Sequence, residues 1–272
     1  MVALRTQLAV GLVAALFALP ASAQTTGDPA ELAKKLANPI ASLISVPIKT
    51  DYNSGYGSAD GWNVTTSIQP VIPFQLSDDF SLVTRTILPI VWQHDVAGKS
   101  GDQFGLGDTL QSFFLVPKSR ETALGTLTYG VGPAVTWPTS TDPLLGAGTL
   151  GLGPTGIFLF QQSGWTYGAL VTQQWGIAET RSGVPDLNLT ALQPFLSYTN
   201  KDQWTFGINT ESSYNWTSGE WSVPINVTVA KLTKIGKQPV QITGGLRYWA
   251  DSLTGGPDGL GFRGQVSFLF PK

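Results

Sequence analysis

The chain has 272 residues and a formal net charge of −2, and only 12% of its residues are charged, while 31 Gly, 9 Trp and 13 Phe are present. Soluble domains have roughly 25% charged residues, so this chain is unusually poor in charge. The balance of charge gives no basic field and excludes nucleic acid as a partner. With no Cys and one His, a disulfide framework and a His/Cys metal cluster are excluded, and we expect no cofactor.

The first residues predict a secretory signal peptide over 1–23. One charge, Arg5, precedes the apolar stretch from Leu8 to Pro20, and Ala21-Ser22-Ala23 is a small-x-small cleavage site. A transmembrane anchor is the alternative, but the apolar run is short and no stop-transfer pattern follows. Cleavage would begin the mature chain at Gln24, which excludes a lipoprotein anchor.

The segment 24–39 is predicted to be helical over 28–37. Asp28 is a good N-cap, Pro29 suits the first helical position, and Asn38-Pro39 ends the helix. A helix this short must dock on a larger surface or fray.

From residue 40 onward the hydrophobic pattern has a period of two, most clearly over 126–137, 204–216, 221–233 and 259–270. One face of each segment is apolar and the other is polar or small, with aromatic residues near the ends. No apolar run after residue 24 approaches the ~20 residues of a membrane-spanning helix. An apolar, aromatic chain without such a helix is typical of a transmembrane β-barrel, in which only alternate residues must be apolar.

We predict about twelve strands, each long enough to cross a bilayer when tilted by ~45°. Their ranges are 40–53, 61–74, 80–93, 104–116, 126–137, 149–161, 165–177, 187–199, 204–216, 221–233, 239–250 and 259–270. Short polar connections follow strands 2, 6, 8 and 10, and longer Gly/Asp/Ser-rich ones follow strands 1, 3, 5, 7 and 11. This asymmetry indicates periplasmic turns and external loops.

The predicted fold class is therefore all-β: a transmembrane antiparallel up-and-down barrel over 40–272, with a short periplasmic or lumenal helix before it. Ten or fourteen strands are the alternatives in strand number, and a secreted soluble β-sandwich is the rival fold. Alternation is poor over 40–53, 104–116 and 149–161, so the pattern does not define the inward face of these strands.

Prolines inside the predicted strands each remove a ladder donor, and we interpret them as sites of β-bulges. They are Pro70, Pro133, Pro154, Pro194 and Pro224. A further hypothesis concerns Pro70, Pro73 and Pro89, which lie on neighbouring strands. They would weaken pairing and let an apolar solute leave sideways into lipid, unless they lie near the interfacial ends, where a lost hydrogen bond costs little.

Charged residues within the strands must point into the lumen, since a lipid-facing Arg or Lys at the midplane costs ~2–4 kcal/mol. Such residues either brace the interior through Arg–carboxylate pairs or form a constriction that selects solutes. The predicted lumen-lining residues are Arg85, Asp108, Asn209, Glu211, Gln241, Arg247, Arg263 and Gln265.

Two features are typical of a dinucleotide-binding site and of a catalytic site, but neither is predicted to form one. The run 151–156 fits G-x-G-x-x-G, yet Pro154 and the apolar residues after it predict a strand where a dinucleotide site needs a helix.

A catalytic triad would need His94, at the junction of a strand and an external loop. Outer-membrane phospholipases carry a His/Ser site on a twelve-stranded barrel, but nothing around His94 supplies the Ser-Asn partner. We predict no enzymatic activity, with a lipid hydrolase as the remote alternative.

Nine stretches carry a resemblance to known proteins: 36–40, 69–74, 85–89, 104–108, 193–198, 209–212, 221–226, 247–250 and 268–272. Taken together, they resemble a family of Gram-negative outer-membrane barrels grouped with the meta-cleavage pathway of phenol degradation. Its members are often labelled "transporter" or "neuromedin U". The similarity spans nearly the whole mature chain and implies an outer-membrane location and passage of small or aromatic compounds, but no established active site. The C-terminus departs from the usual aromatic assembly signal, because Pro271-Lys272 follow Phe270.

These observations predict a passive outer-membrane channel for small solutes. The alternative is a non-conducting structural or binding barrel, its lumen blocked by side chains or by the 28–37 helix. The expected partners are outer-membrane lipid, the barrel-assembly machinery and an unidentified small solute.

Overall fold

The computed structural model describes residues 29–183 and 186–271. The predicted signal peptide and the predicted N-cap Asp28 lie outside the described residues. Helix α1 (Pro29–Leu36) comes first, and a 3-10 turn (Gly57–Ala59) follows the first strand. The strands are β1 (Ile44–Tyr56), β2 (Gly61–Ile68), β3 (Val71–Gln75), β4 (Phe80–His94), β5 (Asp102–Leu106), β6 (Thr109–Pro117), β7 (Arg120–Thr122), β8 (Gly125–Trp137), β9 (Thr149–Gln162), β10 (Trp165–Glu179), β11 (Asn188–Thr199), β12 (Trp204–Thr210), β13 (Ser212–Asn215), β14 (Glu220–Ile235), β15 (Gln238–Asp251) and β16 (Gly259–Phe270).

These strands form one closed antiparallel sheet. Neighbours in the chain are neighbours in the sheet, β1 pairs with β16, and β10 pairs with β11, so the ring is complete. Segments β2 and β3 form one interrupted strand, because they pair with β4 in the same register. Segments β12 and β13 likewise pair with β11 in one register, and β5, β6 and β7 together fill the single position between β4 and β8. The sixteen segments therefore occupy twelve positions in the ring. The predicted twelve-stranded up-and-down barrel is thereby confirmed.

The two faces of the wall differ in chemistry as the sequence pattern predicted. On β8 the outward Val131 is 58% exposed, whereas the inward Thr128 and Ala134 are buried. Outward positions around the ring carry large apolar and aromatic side chains that remain exposed. They include Trp92, Phe104, Trp175, Leu246, Tyr248 and Phe262. An apolar band of this kind suits contact with lipid better than contact with water.

The barrel has two unlike ends. The end with the short turns 76–79, 163–164, 200–203 and 236–237 is called the turn end here, and it also holds the start of β1 and the end of β16. The opposite end carries the longer connections 95–101, 138–148 and 252–258 and is called the loop end.

Among the described residues, no helix is long and apolar enough to cross a membrane.

The chain before β1 lies inside the turn end. Ile40 is 2% exposed and belongs to an apolar cluster with inward side chains of β3, β4, β6, β9 and β10, including Val83, Phe114 and Leu159. Leu32 and Ala33 pack with residues of β14 and β16. The first strand was predicted to begin at residue 40. That boundary is wrong, because Ile40 turns inward and β1 begins at Ile44.

Most of the predicted proline bulges are absent from the wall. Pro133 pairs with Pro154, and Pro194 with Ala169, without a shift in register. A proline at these positions removes one hydrogen bond but does not require an extra residue. A register shift does occur at Pro224.

The structure limits the hypothesised proline seam. Pro70 separates β2 from β3, yet the register against β4 is the same on both sides, and the Thr86 amide donates to the Pro70 carbonyl at 3.1 Å. Pro73 and Pro89 are paired in that register. The irregularity near Pro89 is a one-residue shift between β5 and β6.

Candidate functional site

Five charged side chains meet inside the barrel, and we call them the lumen charge cluster: Lys49, Asp51, Glu211, Arg247 and Arg263. Asp51 accepts hydrogen bonds from Arg263 Nε at 2.6 Å, Arg263 Nη2 at 2.9 Å and Arg247 Nη1 at 2.9 Å. The closing pair of strands creates this contact, because the β1–β16 register places Asp51 directly opposite Arg263. Lys49 Nζ lies 3.4 Å from Asp51 Oδ2.

Glu211 reaches the same cluster from across the lumen. It lies between β12 and β13, and β14, β15 and β16 separate that strand from β1. Even so, Glu211 Oε1 accepts from Lys49 Nζ at 2.8 Å, and Glu211 Oε2 accepts from Arg263 Nη2 at 2.7 Å. These contacts therefore span the interior instead of following the wall, and they narrow the lumen.

The cluster is shielded from solvent. The side chains of Arg263 and Asp51 are 4% and 8% exposed. Ions this buried are tolerated only when paired and hydrogen-bonded, and the two parallel bonds between Arg263 and Asp51 are the strong bidentate arrangement.

A cavity of about 290 Å³ lies in the lumen beside the cluster. Segment 35–43 forms part of its wall, and inward residues of the barrel form the rest. Arg85, on β4, contributes a guanidinium that donates to Gln69 Oε1 at 3.1 Å. The cavity thus lies between the plugged turn end and the charged middle of the barrel.

The structure places most of the predicted lumen-lining residues around this cavity. Its wall includes Arg85, Asn209, Glu211, Gln241, Arg263 and Gln265. Arg247 lies beside them in the lumen charge cluster. Sequence reasoning missed Lys49 and Asp51, which lie on a strand that alternates poorly. One signal in the sequence could have pointed to Asp51. Two inward arginines, Arg247 and Arg263, need more than one carboxylate to pair with, and Glu211 supplies only one.

Asp108 does not lie with the other predicted residues. Its carboxylate accepts hydrogen bonds from the backbone amides of Ser140 at 3.1 Å and Ala147 at 2.6 Å. Asp108 thus holds the connection 138–148, which we call the inward loop. This loop contacts the inner wall, since the inward Gln93 donates to the Leu144 carbonyl at 3.2 Å. The lumen is therefore narrowed at the loop end as well.

His94 lies at the loop end in a setting that does not resemble a hydrolase site. Its Nδ1 is 2.8 Å from Asp102 Oδ1, its Nε2 is 3.3 Å from Asp95 Oδ2, and its ring stacks on Trp62. Both ring nitrogens face carboxylates, so neither is placed to take a proton from a serine. Among the described residues, no group of three His, Cys, Asp or Glu side chains could hold a metal ion.

Comparison with known proteins identifies the class of fold. The barrel is similar to the COG4313 outer membrane channel from Pseudomonas putida F1, with a TM-score of 0.64 at 15% identity, covering 84% of this chain and 96% of that one. It is also similar to outer membrane phospholipase A from Escherichia coli, with a TM-score of 0.50 at 13% identity, covering 84% and 90%.

No protein-family model matches the chain, and no curated protein matches it. At such low identities the solved structures establish a shared fold, that of the outer-membrane β-barrels. A shared fold alone does not assign a function.

Proposed function

We propose that the protein is an outer-membrane channel for the passive passage of small solutes, including aromatic or apolar ones, and that it is not an enzyme. The observation that carries this proposal is the closed barrel itself, apolar outside, with a cavity of about 290 Å³ in its lumen beside charged and polar side chains. Eight strands give an interior just filled by side chains, and a twelve-stranded ring is wider.

The proposal includes the location and the partners. The signal peptide over 1–23 would direct export, segment 24–39 would precede the barrel, and the barrel over 40–272 would be inserted by the barrel-assembly machinery among outer-membrane lipids. The exposed outward side chains support contact with lipid. The resemblance to barrels of phenol degradation favours aromatic solutes.

Membrane fractionation tests the location. We expect the protein to remain in the outer-membrane fraction after carbonate and high-salt washes and to need detergent for release. The folded barrel should also migrate faster on a gel when it is not heated. Full extraction by carbonate without detergent would overturn the membrane location.

A second candidate function, a non-conducting structural or binding barrel, has a specific observation in its favour. Segment 29–43 packs inside the turn end, and Glu211 bridges the lumen to Lys49 and Arg263. Both features obstruct a straight path through the barrel.

Reconstitution in planar lipid bilayers separates the two functions. We expect small current steps from the full mature protein and larger steps from a variant lacking residues 24–38, because part of the plug is then removed. Folding of both proteins is checked by the gel shift on heating. Correctly folded protein without current steps, in both forms, would overturn the channel and support the non-conducting barrel.

A further inference from the structure

The lumen cavity is electropositive although the whole chain has a formal net charge of −2. Its wall includes the cations Lys35, Lys49, Arg85 and Arg263, and Glu211 is the carboxylate that lines it among the described residues. The other two members of the lumen charge cluster, Asp51 and Arg247, have opposite charges and pair with each other. The wall therefore has an excess of positive charge.

Arg85 is a cavity cation that forms no salt bridge with the lumen charge cluster, although Glu211 attracts it at longer range. The two oxygens of Glu211 accept from Lys49 and Arg263, and those of Asp51 accept from Arg247 and Arg263. Within the described part of the chain, no carboxylate lies at ion-pair distance from Arg85, and its hydrogen bond goes to the neutral Gln69. A partly buried guanidinium of this kind gains more from an anion than from a neutral partner.

The cavity wall also has an apolar side. Leu36 and Leu43 come from the chain before the first strand, and Val71, Leu170 and Phe195 come from β3, β10 and β11. A dry cavity of about 150 Å³ holds a benzene ring, so 290 Å³ is enough for a ring with a substituent. The cavity thus combines a cationic side with an apolar side of suitable size.

We propose that this cavity binds small amphipathic monoanions, namely aromatic or short-chain carboxylates. The carboxylate of the ligand pairs with the Arg85 guanidinium, and its apolar body lies against Val71, Leu170 and Phe195. The assignment rests on the proposed function in that the ligand would be a solute of the channel. Binding itself does not require conduction, so the two are measured separately.

The test is isothermal titration of the folded full-length mature protein in a non-ionic detergent with three probes of similar shape: benzoate, benzyl alcohol and benzylamine. We expect benzoate to bind most tightly. Arg85→Gln should weaken benzoate binding about ten-fold, the loss expected for a hydrogen bond to a charged group, and should leave benzyl alcohol binding unchanged. Arg85→Lys should retain part of the preference for benzoate. Arg120→Gln removes an exposed charge on β7, outside the cavity, and should change nothing.

Equal binding of the three probes to the wild-type protein would overturn the proposal, and this comparison does not depend on any variant folding. Unchanged benzoate affinity in folded Arg85→Gln would overturn the role of Arg85. Current steps measured on the same preparations separate the two claims. Conduction without a preference for benzoate refutes the anion site alone, and benzoate binding without conduction, in the full protein and in the variant lacking residues 24–38, refutes the channel alone.

Discussion

At the scale of single residues, Asp51 is the anion that organises the lumen charge cluster. It pairs with Lys49, Arg247 and Arg263, and its side chain is 8% exposed. Removing one member of a buried ionic network leaves the partners desolvated without compensation, which is far more costly than losing a surface ion pair.

Asp51→Asn is therefore expected to lower the free energy of unfolding by about 3–5 kcal/mol, the usual cost of breaking a buried pair. Urea unfolding of the barrel in lipid vesicles measures this. Asp78→Asn, at an exposed turn residue, is the matched control and should change stability by less than about 0.5 kcal/mol. Equal stabilities of the two variants would show that the cluster does not stabilise the barrel.

Asp108 acts locally, on the inward loop. Asp108→Ala should remove the two hydrogen bonds from the Ser140 and Ala147 amides and increase amide hydrogen exchange within residues 138–148, while the strands keep their protection. Asp142→Ala, whose carboxylate accepts a bond from Leu144 within the loop, is the comparison and should have a smaller effect. Unchanged exchange over 138–148 in Asp108→Ala would contradict the anchoring role.

The inward charges on well-alternating strands were predictable from the sequence, and those on irregular strands were not. Arg247, Arg263 and Glu211 follow from strict alternation together with the cost of a lipid-facing charge. Asp51 depends on which strand closes the ring and in which register, and a local pattern does not contain that information. Asp108 follows a one-residue shift between β5 and β6, beyond which simple alternation no longer applies.

At the scale of elements, poor alternation has a structural cause. The inward positions of β6 and β9 near the turn end are apolar, with Phe114, Ile157 and Leu159 buried against Ile40. Their outward positions are apolar as well, so both faces of these strands look alike in sequence. The chain before β1 thus accounts for a pattern that a water-filled lumen would not produce.

Inward glycines allow three adjacent strands to approach one another closely. A Cβ on Gly132, Gly153 or Gly168 would lie 2.0, 1.9 or 2.1 Å from a backbone oxygen of the neighbouring strand. Backbone oxygens in a paired sheet cannot move aside as a flexible side chain can. These three glycines are therefore a steric requirement of the curved wall.

Gly153→Ala is expected to lower the free energy of unfolding by about 1–3 kcal/mol, because the new methyl group would overlap the Gln173 carbonyl oxygen. Gly264→Ala, on the outward face of β16, should be neutral or stabilising by up to about 1 kcal/mol, because its new methyl group would have no atom within 4 Å. Urea unfolding in vesicles compares them. A loss of stability in Gly264→Ala as large as that in Gly153→Ala would contradict the steric explanation.

At the scale of the whole molecule, the number of strands, their antiparallel order and the difference between the two ends were all predictable from the sequence. Each follows from the period-two pattern and the lengths of the connections. The inward path of segment 36–43 was not, since a short apolar stretch beside Pro39 is compatible with a strand, and only the assembled barrel provides the apolar interior that it fills.

We propose that small solutes pass through this lumen beside its cationic wall. The most direct measurement is the reversal potential of the reconstituted full mature protein in a planar bilayer under a potassium chloride gradient. Lys49, Arg85, Arg247 and Arg263 outnumber Asp51 and Glu211 in the lumen, so we predict current steps with a preference for chloride. A preference for potassium, or no current from folded protein either in this form or without residues 24–38, would contradict this proposal.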